Sequence, residues 1–437
     1  MYIATKTVFK NINADMVNPK AIDIHIELSA IEYAKLKFGL IPLTMEDKWI
    51  MYVDNNRLYM HRSWTGYLIY QAELIVQKDG RCLIKTFTVE RDPEKYKSID
   101  DERDIKNFKI HIDYLSGRKI NNPARNVILG LIVGDLLGVP VEFYTRAELK
   151  KNPVVGLQEF GTHHQPQGTW SDDSSLSLCL AEALCFDFDL KKIGENFVKW
   201  YYENHWTPHG NVFDVGMTTR SAIERLKKGV RPDLAGDWEE GSNGNGSIMR
   251  ILPLLFELNK YTDNKKRYAL IKDVSSITHA HARSCLACYY LLEFASVILS
   301  EYKYPLSEAY TIANHNLVKL VNELGINPDE LMKFNRLTNG DIDKFSEKDI
   351  HSSGYVIHTL EASIWCLLTT NSFKEAVLKA VNLGGDTDTT ASVTGGLAGL
   401  YYGEEAIPSE WINSIVKLDD VNNLIDKLCL KYNIANV

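Results

Sequence analysis

The chain has 437 residues, of which 45% are hydrophobic and 24% are charged. This length favours two domains, and the composition is typical of a globular protein in solution. A net charge of −8, without a strong basic patch, argues against a nucleic-acid partner. We identify no apolar run long enough to span a bilayer and no signal-peptide segment after Met1, so we expect no membrane contact. Seven cysteines without regular spacing favour a reducing compartment, and we expect a cytoplasmic protein.

Residues 1–120 differ in pattern from the rest of the chain and predict a small α+β domain. Helices are expected around 31–37 and 101–108, and Asp54-Asn55-Asn56 indicates a hairpin turn. Residues 116–123 predict the linker to the next domain. The strand-like runs, which predict a four-stranded meander, are 49–53, 58–61, 67–76 and 82–89.

Residues 121–437 predict a compact all-α domain, because long helical patterns are joined by short connections. Residues 127–138 predict a buried helix whose glycines allow close packing. Cys285 and Cys288 lie in an apolar helical run with no second cysteine pair nearby, which favours packing over a zinc site. Other predicted helices are 190–202, 215–228, 252–259, 282–301, 305–324, Val356–Leu368 and 373–382.

Two acidic clusters, about two hundred residues apart, each precede a helical pattern that is apolar or rich in small residues. Carboxylates and hydroxyls are the ligands that hard divalent cations prefer, and two such clusters could hold a pair of metals ~3.5–4 Å apart. The alternative is that the acids only cap helix N-termini. Their joint occurrence beside glycines favours a site. The clusters are Ser171, Asp172 and Asp173, and Asp386, Asp388 and Thr389.

Three further positions are candidates for binding or catalysis. Glu142 follows a Pro in an apolar setting, where the alternative is a surface acid at a turn. The loop 244–247 is rich in glycine and precedes an apolar helix, so its backbone N–H groups suit a diphosphate, although such clusters also form plain turns. His279, next to His281 before a helix, is either a ligand-binding residue or a hydrogen-bonded cap.

Taken in order, five stretches resemble the ADP-ribosylglycohydrolase family. They are 134–143, 168–173, 244–250, 278–281 and 380–396, and the resemblance runs from about Pro123 to Trp411. Ser171 stands where many members carry threonine, and it keeps the hydroxyl. The resemblance does not cover residues 1–120.

The resemblance implies a compact all-α fold with a binuclear magnesium site, in which manganese is an alternative. It implies the metal ligands Ser171, Asp172, Asp173, Asp386, Asp388 and Thr389. Either Glu142 or Asp173 is the acid that handles protons in the substrate cleft. The diphosphate and distal ribose are implied to lie at Gly244, Asn245, Gly246, Ser247 and His279, and the adenine side at Gly354 and Tyr355.

The implied activity is removal of ADP-ribose from a modified protein side chain, with arginine the expected linkage. Cleavage of such a bond passes through an oxocarbenium-like state, as in glycoside hydrolysis. The alternative is an inactive or mainly occluding binding protein that neutralises a partner through residues 1–120. The intact clusters and Glu142 disfavour loss of activity. A third interpretation is an immunity protein that reverses the modification made by a cognate ADP-ribosylating toxin and docks that toxin on residues 1–120.

Overall fold

The structure is a computed structural model that describes Ala4, Ile12 and residues 15–42, 48–116, 122–300, 304–432 and 434. The chain divides between residues 120 and 121 into two compact units, each with its own buried core. The central residues of the predicted linker, 117–121, lie outside the described residues. The predicted order of an α+β region followed by a helical region is confirmed.

The described part of the first unit is built on an antiparallel sheet with the strand order β1-β6-β4-β3-β2, and β5 pairs with β6. Its strands are β1 (Pro19–Leu28), β2 (Trp49–Asp54), β3 (Arg57–Arg62), β4 (Leu68–Glu73), β5 (Ile75–Val76) and β6 (Cys82–Glu90). Asn55 and Asn56 have φ of 47° and 56° and form the two-residue turn of the predicted β2–β3 hairpin.

Strand β1 was not predicted from the sequence, so the expected sheet was a four-stranded meander. The signal of β1 is an alternation in which Ile22, Ile26 and Leu28 are buried while the residues between them are mostly exposed. Two helices accompany the sheet: α1 (Ala30–Leu36) and α2 (Asp101–Ser116), which is longer than predicted. Phe108 of α2 stacks on Phe87 of β6 at 4.3 Å between ring centroids, so α2 covers the sheet.

The described part of the second unit consists of helices and loops. The predicted helices are present, and six more were not predicted from the sequence: α4, α9, α12, α13, α17 and α18. The helices are α3 (Pro123–Gly138), α4 (Arg146–Lys151), α5 (Asp172–Leu184), α6 (Leu190–Glu203), α7 (Met217–Lys227), α8 (Leu255–Leu258), α9 (Asn264–Ser276), α10 (Ala282–Leu299), α11 (Leu306–Leu324), α12 (Pro328–Met332), α13 (Asn335–Thr338), α14 (Val356–Leu368), α15 (Phe373–Val381), α16 (Thr387–Tyr402), α17 (Ser409–Ser414) and α18 (Leu418–Tyr432).

Helices α3 and α16 pack in direct backbone contact at the centre of this unit. A Cβ added at Gly134 would lie 1.9 Å from the carbonyl oxygen of Ala391, and one at Gly130 would lie 2.2 Å from that of Gly395. A Cβ at Gly138 would lie 2.3 Å from the Cα of Asp388. Only glycine fits at these positions, and the close approach brings the C-terminal end of α3 to the start of α16.

Two segments correct the expectation that no apolar run reaches membrane-spanning length. Pro123–Val141 and Ala282–Leu299 are both long and apolar enough to cross a bilayer. The structure buries 94% and 83% of these two segments within the protein, which is the position of core helices. Cys285 and Cys288 are among the buried residues of α10.

Candidate active site

The first acidic cluster begins helix α5, and hydrogen bonds to a side chain of α3 hold its loop in place. Ser171 is the N-cap, and its Oγ accepts a hydrogen bond from the N–H of Asp173 at 3.3 Å. Asp135 of α3 accepts hydrogen bonds from the N–H of Ser171 at 3.0 Å and from the N–H and Oγ of Ser174 at 3.0 and 2.5 Å. This buried carboxylate therefore sets the path of the loop that carries the cluster.

The second cluster begins helix α16 after a sharp turn. Gly384 and Gly385 have φ of 74° and 76°, which glycine adopts without strain. Thr387 then donates its hydroxyl to the carbonyl oxygen of Gly138 at 2.8 Å, which ties α16 to the end of α3. The Asp386 side chain makes no capping hydrogen bond to α16, so capping does not account for it.

The structure brings the two clusters together. Asp173 Oδ2 lies 3.2 Å from the hydroxyls of both Ser171 and Thr389, and both hydroxyls donate to it. Asp386, Asp388 and Glu142 each place one carboxylate oxygen within 4.8 Å of the others. Carboxylates from three separate stretches of sequence thus share one site.

Burial and repulsion from neighbouring carboxylates raise the pKa of Glu142, Asp172, Asp173 and Asp388. Burial, and to a smaller extent the charge of Asp386, raises the pKa of Glu142 to about 8. Burial, followed by repulsion from neighbouring carboxylates, raises the pKa of Asp172, Asp173 and Asp388 well above the ordinary range. Negative charges at this density are costly unless a cation or protons neutralise them.

The residues present fit a divalent metal site. Among the described residues, Asp173 Oδ1, Asp386 Oδ1 and both carboxylate oxygens of Asp388 are buried without a hydrogen-bond partner. Buried oxygens of this kind are normally satisfied, and carboxylate and hydroxyl oxygens are the ligands of hard cations. The set that would hold such a metal is Ser171, Asp172, Asp173, Asp386, Asp388 and Thr389.

A cavity of about 300 Å³ opens beside the clusters. Its acidic wall contains Glu142, Asp172, Asp386 and Thr389. Glu142 is only 4% exposed, which overturns the alternative of a surface acid at a turn. The same cavity is lined by the candidate substrate-binding residues Gly244, Asn245, Gly246, His279 and Gly354.

The glycine-rich loop is held against the second cluster. Asn245 Nδ2 donates to Asp386 Oδ2 at 2.8 Å, and its backbone N–H donates to the carbonyl oxygen of Gly354 at 3.0 Å. A Cβ at Gly246 would lie 2.7 Å from Cε1 of His279, so the loop and the imidazole are in contact. Burial, with Arg250 nearby, lowers the pKa of His279 to about 3 and keeps the ring neutral.

Three side chains from these stretches have other positions. Ser247 is buried, and its hydroxyl contacts Cys288 Sγ at 3.4 Å instead of the cavity. Tyr355 faces the ring of His358 and the guanidinium of Arg283, and it is not among the residues that line the cavity. His281 is the N-cap of α10, so the capping alternative holds for His281, whereas His279 lines the cavity.

Three residues of the site were not assigned from the sequence. Asp135 lies next to Gly134 in the stretch 134–143, the first of the five that resemble the family. Its place in that stretch could have identified it as a residue of the site. Asp214 lines the cavity at a φ of 55°, and His163 hydrogen-bonds to Glu142 through Nε2. Asp214 and His163 lie on irregular loops without periodicity or motif, so only the fold brings them to the site.

This arrangement provides an anionic cluster that could hold a metal, a carboxyl group of raised pKa beside it and a glycine-rich loop that lines the same cavity. Such a site can bind a diphosphate-bearing sugar with the sugar over the carboxylates. The protonated Glu142 can then act as an acid towards a leaving group.

Comparisons with known proteins agree with this geometry. A sequence profile described as ADP-ribosylglycohydrolase matches residues 117–435. An ADP-ribosylarginine hydrolase of Serratia proteamaculans is 34% identical over 308 residues, covering 70% of this chain and 78% of that protein. An ADP-ribosyl-[dinitrogen reductase] glycohydrolase of Rhodospirillum rubrum is 28% identical over 314 residues, covering 69% of this chain and 92% of that protein.

The solved structure of an ADP-ribosylglycohydrolase-related protein complex aligns at a TM-score of 0.56 and 29% identity, over 71% of this chain and 98% of that chain. The resemblance inferred from the five motifs is thereby confirmed, and so is the expectation of an enzyme. The profile match covers more than half of the chain and contains both acidic clusters. The chain belongs to the ADP-ribosylglycohydrolase family and is a glycohydrolase.

Proposed function

We propose that the protein is a magnesium-dependent hydrolase that removes ADP-ribose from arginine side chains of modified proteins. The observation that carries this proposal is the single cavity shared by both acidic clusters, Glu142 and the glycine loop. The arginine linkage is supported by the name of the Serratia relative, an ADP-ribosylarginine hydrolase. Removal from a modified protein is supported by the name of the Rhodospirillum relative.

The metal site would hold two magnesium ions, or manganese in their place, between the two clusters. When bound, the metals polarise the ribose hydroxyls and lower the pKa of a bound water. The ligands would be Ser171, Asp172, Asp173, Asp386, Asp388 and Thr389. Their buried oxygens without hydrogen-bond partners support this role.

Glu142 would be the acid that protonates the leaving group. It lines the cavity, and in the metal-free protein burial with the charge of Asp386 raises its pKa to about 8, which favours the protonated form that a general acid needs. Asp173 is the other candidate, but it is not among the cavity-lining residues, and two hydroxyls donate to its Oδ2. We therefore assign Asp173 to metal binding.

The wall formed by the glycine loop would bind the diphosphate and the distal ribose. Backbone N–H groups at Gly244 and Gly246 can approach phosphate closely, because no side chain intervenes. The neutral ring of His279, whose Nδ1 contacts the hydroxyl of Thr278 at 2.9 Å, would orient the ribose through Nε2. Gly354, which also lines the cavity, would face the adenine side.

The test compares three substrates: a peptide ADP-ribosylated on arginine, one modified on serine, and O-acetyl-ADP-ribose. Each is incubated with the protein in magnesium, in manganese and in EDTA, and released ADP-ribose is measured. We expect the arginine substrate to be cleaved fastest in magnesium and not at all in EDTA. Faster cleavage of either other substrate would overturn the arginine assignment, and undiminished cleavage in EDTA would overturn the metal dependence.

Residues 1–120 would serve as a docking unit for a protein partner. They have a separate core, they lie almost entirely outside the family match, and Trp64 is 74% exposed in a loop. A cognate ADP-ribosylating toxin is the proposed partner, which would make the protein an immunity factor that reverses the toxin's modification. The cytoplasm is the proposed location, because its reducing conditions would keep the seven cysteines in the thiol form.

A further inference from the structure

Glu142 is enclosed by a short segment that no motif includes. Thr162 donates its N–H to the carbonyl oxygen of Pro140 at 2.9 Å and its hydroxyl to that of Glu142 at 2.6 Å. A Cβ at Gly161 would lie 1.7 Å from the carbonyl oxygen of Pro140, so this position accepts only glycine. Gly161 and Thr162 thus lock the segment onto the backbone that carries Glu142.

The next residue of this segment contacts the carboxylate itself. His163 Nε2 hydrogen-bonds to Glu142 Oε2 and lies 4.0 Å from Asp214 Oδ1. The imidazole is flanked by Phe143 and Phe213, at 6.2 and 5.2 Å between ring centroids. Its side chain is 15% exposed, so the ring is confined between apolar rings and two carboxylates.

The Glu142 side chain is flexible, and some of its rotamers would turn the carboxyl group out of the cavity that it lines. A hydrogen bond from a confined ring opposes that movement at little entropic cost, since the ring has few other orientations.

We propose that His163 is a positioning residue that holds the Glu142 carboxylate at the edge of the cavity. This inference rests on the proposed role of Glu142 as the acid. His163 touches neither the leaving group nor the sugar in this account. It acts by keeping Glu142 within reach of the scissile bond, in the way that outer residues orient metal ligands.

The experiment measures kcat and KM for the cleaved substrate with the full chain and saturating magnesium. The variants are His163→Ala, His163→Gln, Glu142→Ala and the double variant His163→Ala with Glu142→Ala. Glutamine keeps a side-chain N–H that reaches Glu142. The control is His164→Asn, an exposed neighbour at a φ of 51°, which asparagine tolerates. Thermal unfolding of every variant checks that it folds.

We expect His163→Ala to lower kcat by about 10- to 100-fold with little change in KM. His163→Gln should recover most of that loss, and His164→Asn should match the wild type. In the Glu142→Ala background, His163→Ala should cost nothing further, because its effect passes through Glu142. Magnesium affinity, measured by calorimetry, should be unchanged in His163→Ala.

Equal losses of kcat in His163→Ala and His163→Gln would overturn the positioning role. So would a double variant whose kcat is lower than that of Glu142→Ala alone. So would wild-type kcat in His163→Ala. If Glu142→Ala alone kept full activity, the assignment of Glu142 as the acid would fail, which is a different outcome from failure at His163.

Discussion

At the scale of single residues, the site is governed by buried carboxylates with too few hydrogen bonds. Both oxygens of Asp388 are buried without a partner among the described residues, and burial and four neighbouring carboxylates raise its pKa. Such groups are tolerated at functional sites because a bound cation offsets their cost. Activity and stability should therefore respond in opposite directions when one of these charges is removed.

Replacing Asp388 with Asn should abolish hydrolysis and raise the melting temperature of the metal-free protein. The amide keeps the shape of the side chain and avoids the cost, at this buried position, of either a repelled charge or the uptake of a proton. Thermal unfolding in EDTA and in magnesium measures this, and magnesium should no longer stabilise the variant. Asp343→Asn, at an exposed position, is the control and should change neither property. A metal-free Asp388→Asn protein that melts lower than the wild type would contradict this explanation.

The pH dependence of the metal-free protein follows from the raised pKa values of Glu142 and Asp214, both about 8. The folded state binds protons that the unfolded state has released, so stability falls as pH rises towards 8. Buried His111 and His279, with pKa values of about 3, act in the opposite direction, but only below about pH 6.5, the ordinary histidine pKa. Burial also raises the pKa of Glu361 to about 7. This group therefore adds to the fall in stability, at lower pH values than Glu142 and Asp214.

We therefore expect the melting temperature in EDTA to fall between pH 7 and pH 8, at a cost of up to about 1.4 kcal/mol per pH unit for each such group. Magnesium should flatten this slope, because bound cations would offset the charge of Asp386, which helps to raise both pKa values. The measurement is thermal unfolding across this range with and without magnesium. A metal-free protein whose melting temperature stays constant or rises over this interval would show that these groups are not buried together.

The sequence was sufficient to propose both acidic clusters, because each combines acids and hydroxyls with glycines at the start of a helix. Glu142 was proposed on other grounds, its apolar setting beyond a Pro and the family resemblance. The sequence could not select Asp214 or His163, because their contacts with Glu142 arise from loops whose paths only the folded chain defines. It also could not separate Ser247, whose side chain points to Cys288, from the cavity-lining glycines beside it.

At the scale of secondary-structure elements, the contact between α3 and α16 determines the site. These helices carry Asp135 and Asp388, and their glycines allow backbone to touch backbone. The sequence predicted both helices and their close packing from glycine spacing. It did not predict that α3 and α16 are each other's partners, since pairing between helices so far apart in sequence has no local signal. The missed strand β1 is a different case, because its apolar alternation is a local signal, and only its pairing with β6, about sixty residues away, has none.

Replacing Gly134 with Ala should destabilise the protein by at least about 2 kcal/mol and lower kcat as well. The new Cβ would overlap the carbonyl oxygen of Ala391, and separation of the helices would displace Asp388. Gly241→Ala, where nothing lies within 4 Å, is the matched control. Chemical denaturation measures the loss, and equal stabilities of the two variants would refute close packing at Gly134.

At the scale of the whole molecule, the chain combines two units. The second unit matches the ADP-ribosylglycohydrolase family, whereas the first lies almost entirely outside that match. Every residue assigned to the cavity or the metals lies in residues 121–434. The chemistry therefore does not require residues 1–120, and their proposed role is partner binding.

Deletion of residues 1–116 should leave kcat and KM for a small ADP-ribosyl-arginine substrate within about threefold of the full chain, because no group that acts on the substrate is lost. The same deletion should abolish capture of a cognate toxin in a pull-down. The Asp388→Asn full chain should still capture that toxin, which separates binding from hydrolysis. Toxin capture by the deletion variant would rule out the docking role.

The account depends most on the two acidic clusters forming one metal site. Calorimetric titration of the metal-free protein with magnesium tests this directly, with Asp172→Ala, Asp386→Ala and the double variant beside the wild type. We predict two magnesium ions per wild-type chain. Each single variant should lose most of the binding, and the double variant should be little worse than either, because the clusters share the ions. Independent, additive losses, or wild-type binding in either single variant, would contradict a shared site.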